Sequence, residues 1–282
     1  MNKWVSRSFI FFIGFPLLVG VMIFDFGNHL VANLTIVFFS ALGAMETGSL
    51  LALKGFPINF YMRPILGASL PILAYLEVMG LTDASVTLVV VSLLVGMVFV
   101  RQIYTNQDPE IQLIANKVSG NLLVLIYPGL FLYYLVKVSG LDHATIALPV
   151  FFFITFGNDA MAFTIGSLFG KKSKKPFVVS PNKSTVGFVG GLLISVVMSV
   201  AAQMIWPNVF GPLWMIIIMS LLWGAMTILG DLFESALKRS VGAKDSGNLI
   251  PGRGGVLDSI DSLLFTVPTY YYYLYYVQNL SL

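Results

Sequence analysis

Four carboxylates stand in two pairs in the last third of this 282-residue sequence. Asp231 and Glu234 close one apolar run, and Asp258 and Asp261 open the next. Each pair is spaced i, i+3, which on a helix places both side chains on one face with Cβ atoms roughly 5–6 Å apart. Two such helix ends can converge on one cation. Between them runs SALKRSVGAKDSGNLIPGRGGVLDSIDS, from Ser235 to Ser262, with four of the sixteen basic residues and three of the thirteen acidic ones. A carboxylate at the centre of a membrane helix costs about 2.5–3.5 kcal/mol, so four approach about 10 kcal/mol at that depth. A metal, a lysine or water must offset this. The bland alternative is a solvated helix end in which Asp231, Glu234 and Lys238 give an i, i+4 pair worth a few tenths of a kcal/mol. Acids on both flanks of Lys238, Arg239, Lys244 and Arg253, with abundant glycine between, weigh against it.

A second set lies upstream. Ser180-Pro181-Asn182-Lys183 brings a hydroxyl, a carboxamide and an ammonium to the start of an apolar run. A helix N-terminus there favours anions. Asp159 falls inside an apolar helix, so it is expected to face the bundle interior and to have a partner or a function. Lys171, Lys172, Lys174 and Lys175 read best as a topological signal that also attracts anionic headgroups, each worth about 1 kcal/mol.

The absences narrow the chemistry. The sequence has no cysteine, which excludes disulfides, thiolate zinc sites and cysteine nucleophiles. Its two histidines, His29 and His143, are expected on the side of the membrane opposite the acids, so neither a Ser-His-Asp triad nor a histidine-zinc centre can form with them. Gly166 to Lys172 fails as a P-loop: three residues separate its glycines, and Lys172 replaces the required Ser or Thr. Carboxylates, lysines, an arginine and glycine-rich backbone suit phosphate chemistry with magnesium, which prefers one or two carboxylates plus phosphate oxygens and water.

The run S-A-L-K-R-x4-K-D-S-G-x3-P-G-x-G-G-V-L-D-x-x-D, from Ser235 to Asp261, closely resembles the signature of phosphatidate cytidylyltransferases. These are integral membrane enzymes that make CDP-diacylglycerol from CTP and phosphatidic acid. Ser180 to Lys183 resembles the family's S-P-N-K segment, and Asn158-Asp159 its N-D or F-D position. Three positions depart from the commonest form: Arg253 stands where a histidine is frequent, Ser259 where an arginine is frequent, and Val186 where a glutamate usually follows S-P-N-K.

The resemblance implies a nucleotidyltransferase of phospholipid biosynthesis whose partners are CTP, phosphatidic acid and membrane lipids. It implies magnesium and leaves open a second cation and a homodimer. On this reading Asp231, Asp258 and Asp261 hold metal, with Glu234 beside them. Lys183, Lys238, Arg239, Lys244 and Arg253 neutralise phosphates, Ser180 and Asn182 contact the nucleotide, and Gly252, Gly254 and Gly255 let backbone N–H groups approach it. Asp245 joins the catalytic set, and Asp159 and Ser235 border it.

The elements that position these residues are membrane helices. Hydrophobic residues make up 57% of the chain and charged ones 10%, with a mean hydropathy of +0.87. We expect an all-α, polytopic bundle of about nine spans: Ser8–Phe24, Leu30–Leu53, Pro64–Gly80, Ala84–Val100, Asn121–Val138, Ala144–Phe169, Val186–Trp206, Pro212–Leu232 and Val256–Val277. The first reads as an uncleaved span. With the N-terminus cytoplasmic, fifteen of the sixteen Lys and Arg residues fall on the inner side and only Lys137 outside, so the acids face the cytoplasm of an inner-membrane protein. Gln102 to Gly120 is too polar to span and contains Asp108-Pro109, so it is expected as an inner loop with a short helix lying at the interface. Tyr270 to Tyr273, Tyr275 and Tyr276 suit either an aromatic belt or ordinary packing. Residues 1–120 then form an N-terminal membrane region, and 121–282 a catalytic one of about five spans.

The lysines cluster beside membrane segments, not along a basic domain, so no nucleic-acid partner is expected. Two rival functions remain at this point. One is a CTP-dependent transferase or kinase acting on another lipid, such as an isoprenoid ether-lipid phosphate. The other is an ion-coupled transporter whose buried acids bind cations.

Overall fold

The computed structural model describes residues 10–104 and 111–279. Nine long helical segments form an antiparallel bundle among the described residues. They are α1 (Phe15–Ile23, entered through a π-helical turn, Ile10–Gly14), α2 (Leu30–Ala52), α3 (Met62–Val78), α4 (Ala84–Ile103), α5 (Ile114–Val138), α6 (Ala144–Phe169), α7 (Thr185–Ile205), α8 (Leu213–Ser240) and α9 (Leu257–Asn279). Six of them, α2 and α4 to α8, are long and apolar enough to cross a membrane. The expected spans are present, with shifted ends. α5 starts at Ile114, before the expected Asn121, so Ile114 to Gly120 belongs to a helix long and apolar enough to cross a membrane; residues 105–110 of the expected inner loop lie outside the described residues. Lys3, Arg7 and Asp108-Pro109 lie outside the described residues.

Local chemistry sets the helix ends. The Asp83 carboxylate accepts from the N–H groups of Ser85 (2.9 Å) and Val86 (3.1 Å), closing the N-terminus of α4. The Ser85 hydroxyl and these two amides hold the Asp83 carboxyl below its usual range. α8 ends in a paired turn: Ala243 N donates to Lys238 O (2.9 Å) and Gly242 N to Arg239 O (3.1 Å). Gly242 takes the left-handed φ of +73° which that turn needs.

Small residues let the helices close up. A Cβ on Gly187 of α7 would lie 2.6 Å from Ala162 O of α6, and one on Gly67 of α3 would lie 2.7 Å from Ser40 O of α2. Backbones in contact at such places gain the packing that replaces a hydrophobic driving force between membrane helices. The main core, with Trp223, Tyr127, Phe151 and Tyr270 among its largest side chains, draws on every helix but α4, whose Val98 packs in a second cluster. Tyr270 and Tyr273 are buried and donate to Ala147 O (2.7 Å) and Phe210 O (2.6 Å), whereas Tyr272, Tyr275 and Tyr276 are exposed. The tyrosine run is therefore divided between packing and an outward-facing fringe.

Two polar faces result. At one, the Asn33 amide meets Ser139 (2.9 Å), Gln278 reaches Asp142 O (2.7 Å), and Lys137 pairs with Glu77 (2.8 Å). His29 and His143 lie at this end, each in left-handed backbone just before α2 and α6. The acids and the glycine-rich loop lie at the other, as expected.

Candidate active site

The site is built where α8 hands over to α9. Gly230 lets the two helices touch, because any Cβ there would strike the Asp261 carbonyl and approach Ser262 Cα to 3.3 Å. That contact sets Asp231 on α8 near Asp261 on α9. Gly230→Val should push the helices apart and cut activity by more than tenfold, with a lower Tm in detergent; both are measured on one purified sample.

Below Gly230, Glu234 is completely buried and ion-paired with Lys238, and its Oε1 accepts no hydrogen bond. The solvated helix end is thereby excluded. The same Lys238 ammonium reaches across to Asp258 Oδ1 (2.5 Å). Asp258 Oδ2 accepts from Gly255 N (2.7 Å), Ser246 N (2.9 Å) and Ser246 Oγ (3.0 Å). Asp261 is buried, accepts from Ser262 N (2.7 Å), and lies within electrostatic reach of Asp231, Asp159 and Lys183.

The S-P-N-K turn joins the site from the other side, since the Lys183 ammonium pairs with Asp231. The N-terminus of α7 itself is not an open anion site. Thr185 N donates to Lys174 O (2.9 Å), Val186 N to Ser173 Oγ (3.2 Å) and Gly187 N to Ser184 Oγ (3.2 Å), so the chain satisfies its first amides. Of the S-P-N-K side chains, Lys183 is the one that reaches the acids; Ser180 is half-buried and Asn182 exposed.

Asp159 sits half-buried beside Ser262, in reach of Asp231, Lys183 and Arg253. Its neighbour Asn158 is structural: fully buried, it donates to Ser195 Oγ (2.9 Å) and Gly224 O (3.3 Å), tying α6 to α7 and α8.

The loop from 241 to 256 folds over these acids. Ile250 and Gly254 bond reciprocally (2.8 and 3.0 Å), forming a tight turn that points Arg253 outward. Gly252 and Gly254 hold φ of +79° and +113°, which only glycine adopts without strain. The Arg253 guanidinium lies 5.8 Å over the Phe156 ring. Arg239 donates to Ala243 O (3.0 Å), so it closes the end of α8. Lys244 and Asp245 are exposed and make no ion pair among the described residues, and Ser235 is half-buried on α8. The structure thus gathers Asp159, Lys183, Asp231, Glu234, Lys238, Arg253, Asp258 and Asp261, and leaves Arg239, Lys244 and Asp245 at the rim.

Two residues packed against this cluster were not singled out in the sequence. Glu46 of α2 is 7% exposed and inserts its carboxylate under the loop: Oε1 accepts from Val256 N (2.9 Å), Oε2 from Leu257 N and Ser246 Oγ (both 2.8 Å). A glutamate inside the apolar Leu30–Leu53 run carries the same insertion cost as the other acids, and that signal would have found it. Tyr127 is 1% exposed, with a hydroxyl that has no hydrogen-bond partner and lies within electrostatic reach of Asp261, Glu234, Asp231 and Asp258. It stands on a π-helical segment, Leu125–Leu130, next to Pro128. Nothing in the sequence beyond that proline marked it.

Among the described residues no three carboxylates or imidazoles come close enough to hold a metal by themselves. The donor set is nevertheless all oxygen, and five carboxylates (Asp159, Asp231, Glu234, Asp258, Asp261) face three cations (Lys183, Lys238, Arg253). A cluster of five carboxyl groups and an unbonded buried Glu234 oxygen fit one hard divalent ion whose remaining ligands are phosphate and water.

Residues 5–277 match the sequence model of the cytidylyltransferase family. The chain belongs to that family. It is 36% identical over 155 residues to a phosphatidate cytidylyltransferase of Bacillus subtilis, a match covering 54% of this chain and 56% of the relative. The corresponding protein of Staphylococcus saprophyticus is 38% identical over 149 residues (52% and 55%), and that of Staphylococcus epidermidis 36% over 140 (50% and 52%). The chain spans about half the length of the curated relatives it matches. The helical spans and the family agree on an integral membrane protein.

Proposed function

We propose that this protein transfers CMP from CTP to phosphatidate, giving CDP-diacylglycerol and pyrophosphate, at the cytoplasmic face of the inner membrane. The observation that carries the reading is the meeting of three separate segments at one net-acidic site: the S-P-N-K turn through Lys183–Asp231, the acidic end of α8, and the start of α9 through Lys238–Asp258. Relatives named for this reaction support it, as does the expected accumulation of basic residues on the site's side. Residues 121–282 hold the reactive groups, with Glu46 added from the N-terminal region.

The reaction needs an in-line nucleophile, charge neutralisation at the attacked phosphorus and a stabilised leaving group. Phosphatidate brings its own anionic oxygen, so no protein nucleophile is required. Asp231 and Asp258 would hold magnesium, with Glu234 and Asp261 adding negative charge behind them. When bound, the ion supplies Lewis-acid neutralisation of the triphosphate. Lys183 and Lys238 already lie against the two acids, so each can turn from carboxylate to phosphate as the nucleotide enters. Arg253 stands at the open side of the loop, where an always-charged fork suits the leaving pyrophosphate.

The test is to incubate the purified protein in detergent with phosphatidate, CTP and magnesium and to assay pyrophosphate and a CDP-lipid. Release of CDP would mark a CTP-dependent lipid kinase, and ion flux without nucleotide a transporter. Arg253→Ala should lower turnover about 10–100-fold, the worth of a charge-assisted phosphate contact, while Arg253→His retains part of it. Wild-type kinetics for Arg253→Ala would make that residue structural.

A further inference from the structure

We propose that Glu46 is a positioning residue for the reactive site: its carboxylate, rooted in α2, clamps the loop before α9 and thereby fixes the direction of the Asp258 carboxylate. The proposal rests on the reading of Asp258 as a reactive group, but its geometry stands alone. Glu46 reaches the loop across 200 residues of sequence, and all three of its hydrogen bonds go there.

Two of these bonds, from Val256 N and Leu257 N, take up amides at the very start of α9. A carboxylate at that point satisfies orphan donors and faces the positive end of the helix dipole. The third comes from Ser246, which links the two acids directly. Its Oγ stands 2.8 Å from Glu46 Oε2 and 3.0 Å from Asp258 Oδ2, and its N–H donates to the same Asp258 oxygen (2.9 Å). The hydroxyl has one proton and serves one carboxylate at a time; with it on Glu46 Oε2, the Ser246 N–H still holds Asp258 Oδ2, so a single residue is bonded to both acids.

The fit is close on every side. A Cβ on Gly247 or Gly255 would run into the Glu46 carboxylate, and one on Gly254 would lie 2.5 Å from Asp258 Oδ2. The loop glycines are thus places where backbone lies against these two acids. No other clamp holds the loop to the N-terminal half by side-chain hydrogen bonds among the described residues.

The variant to make is Glu46→Gln. It keeps the shape but has one acceptor oxygen where the loop presents three donors on two oxygens, so at least one amide or hydroxyl is left facing an NH2 group. Two readouts are needed. The first is limited trypsin digestion in detergent without substrates, comparing cleavage after exposed Arg253 in the loop with cleavage in the exposed Lys171–Lys174 segment, which Glu46 does not touch. We expect cleavage after Arg253 to rise about tenfold or more and cleavage at Lys171–Lys174 to be unchanged. The second is steady-state kinetics: kcat should fall about 10–100-fold with KM for CTP within about twofold, as for groups that orient a ligand-bearing side chain. Unchanged cleavage at Arg253 overturns the clamp, whatever the activity. A uniform rise at both sites also overturns it, by showing general destabilisation. Faster cleavage at Arg253 with wild-type kcat would keep the clamp but overturn its role in orienting Asp258.

Discussion

On the proposed reaction, Asp258→Asn should lower turnover by at least about 10²–10³-fold, while the protein should remain inserted and monodisperse in detergent. The substitution is nearly isosteric, and the carboxamide oxygen can still accept from Gly255 N and Ser246 N, which hold the side chain at 2.7 and 2.9 Å. What changes is the other oxygen. Oδ1 receives the Lys238 ammonium, and an amide NH2 in its place would face a cation. Lys238 then retains only Glu234 on its own helix, and the link between α8 and α9 at this level is lost. Leaving a buried charge with a poorer partner costs up to about 3–5 kcal/mol, moderated here by Glu234. A lower Tm with a preserved elution profile is therefore expected alongside the loss of activity. Turnover at the wild-type rate would remove Asp258 from the mechanism.

Lys183→Met is the second large effect. The Lys183–Asp231 pair joins the S-P-N-K turn to α8. Its two side chains are about equally accessible, at 26% and 28%, so the lysine can exchange its carboxylate for an entering phosphate. Methionine keeps the length of the side chain and removes the charge. Charge-assisted hydrogen bonds contribute about 1.5–3 kcal/mol, so kcat/KM for CTP should fall roughly 10–100-fold. Lys183→Arg should recover only part of the loss, because a planar fork does not replace a point charge in a site shaped for an ammonium. Initial-rate measurements over a range of CTP concentrations separate the two variants. An unchanged kcat/KM in Lys183→Met would show that the turn supports the fold and not the nucleotide.

The helices, their order and the placing of the acids and the histidines at opposite ends of the bundle were legible in the sequence. Each span is a continuous apolar run of about 20 residues, but its ends were read less well: the eighth span was expected to stop at Leu232, and α8 runs on to Ser240 through the polar residues that carry the site. The two acid pairs were legible too, since i, i+3 spacing on a helix is a local property and an acid in an apolar run demands a partner wherever it sits. The start of α5 was misjudged because polar residues from Ile114 to Gly120 obscured a helix whose far end is apolar.

Only the tertiary structure decided which partner each charge takes. Lys238 could have been read as solvated or as a phosphate ligand, and it bridges Glu234 and Asp258 because both are buried there and neither can be left without a countercharge. Arg239, one residue on, turns away to close the helix end. Glu46 meets Ser246, Val256 and Leu257 because α2 packs beneath a loop some 200 positions distant, and Asp231 meets Asp261 because Gly230 has no side chain to hold the two helices apart. Hydrophobic periodicity and spacing report what a segment becomes. Pairing inside a low-dielectric bundle depends on which groups are brought within about 3 Å of one another, and that is a property of the packed helices alone.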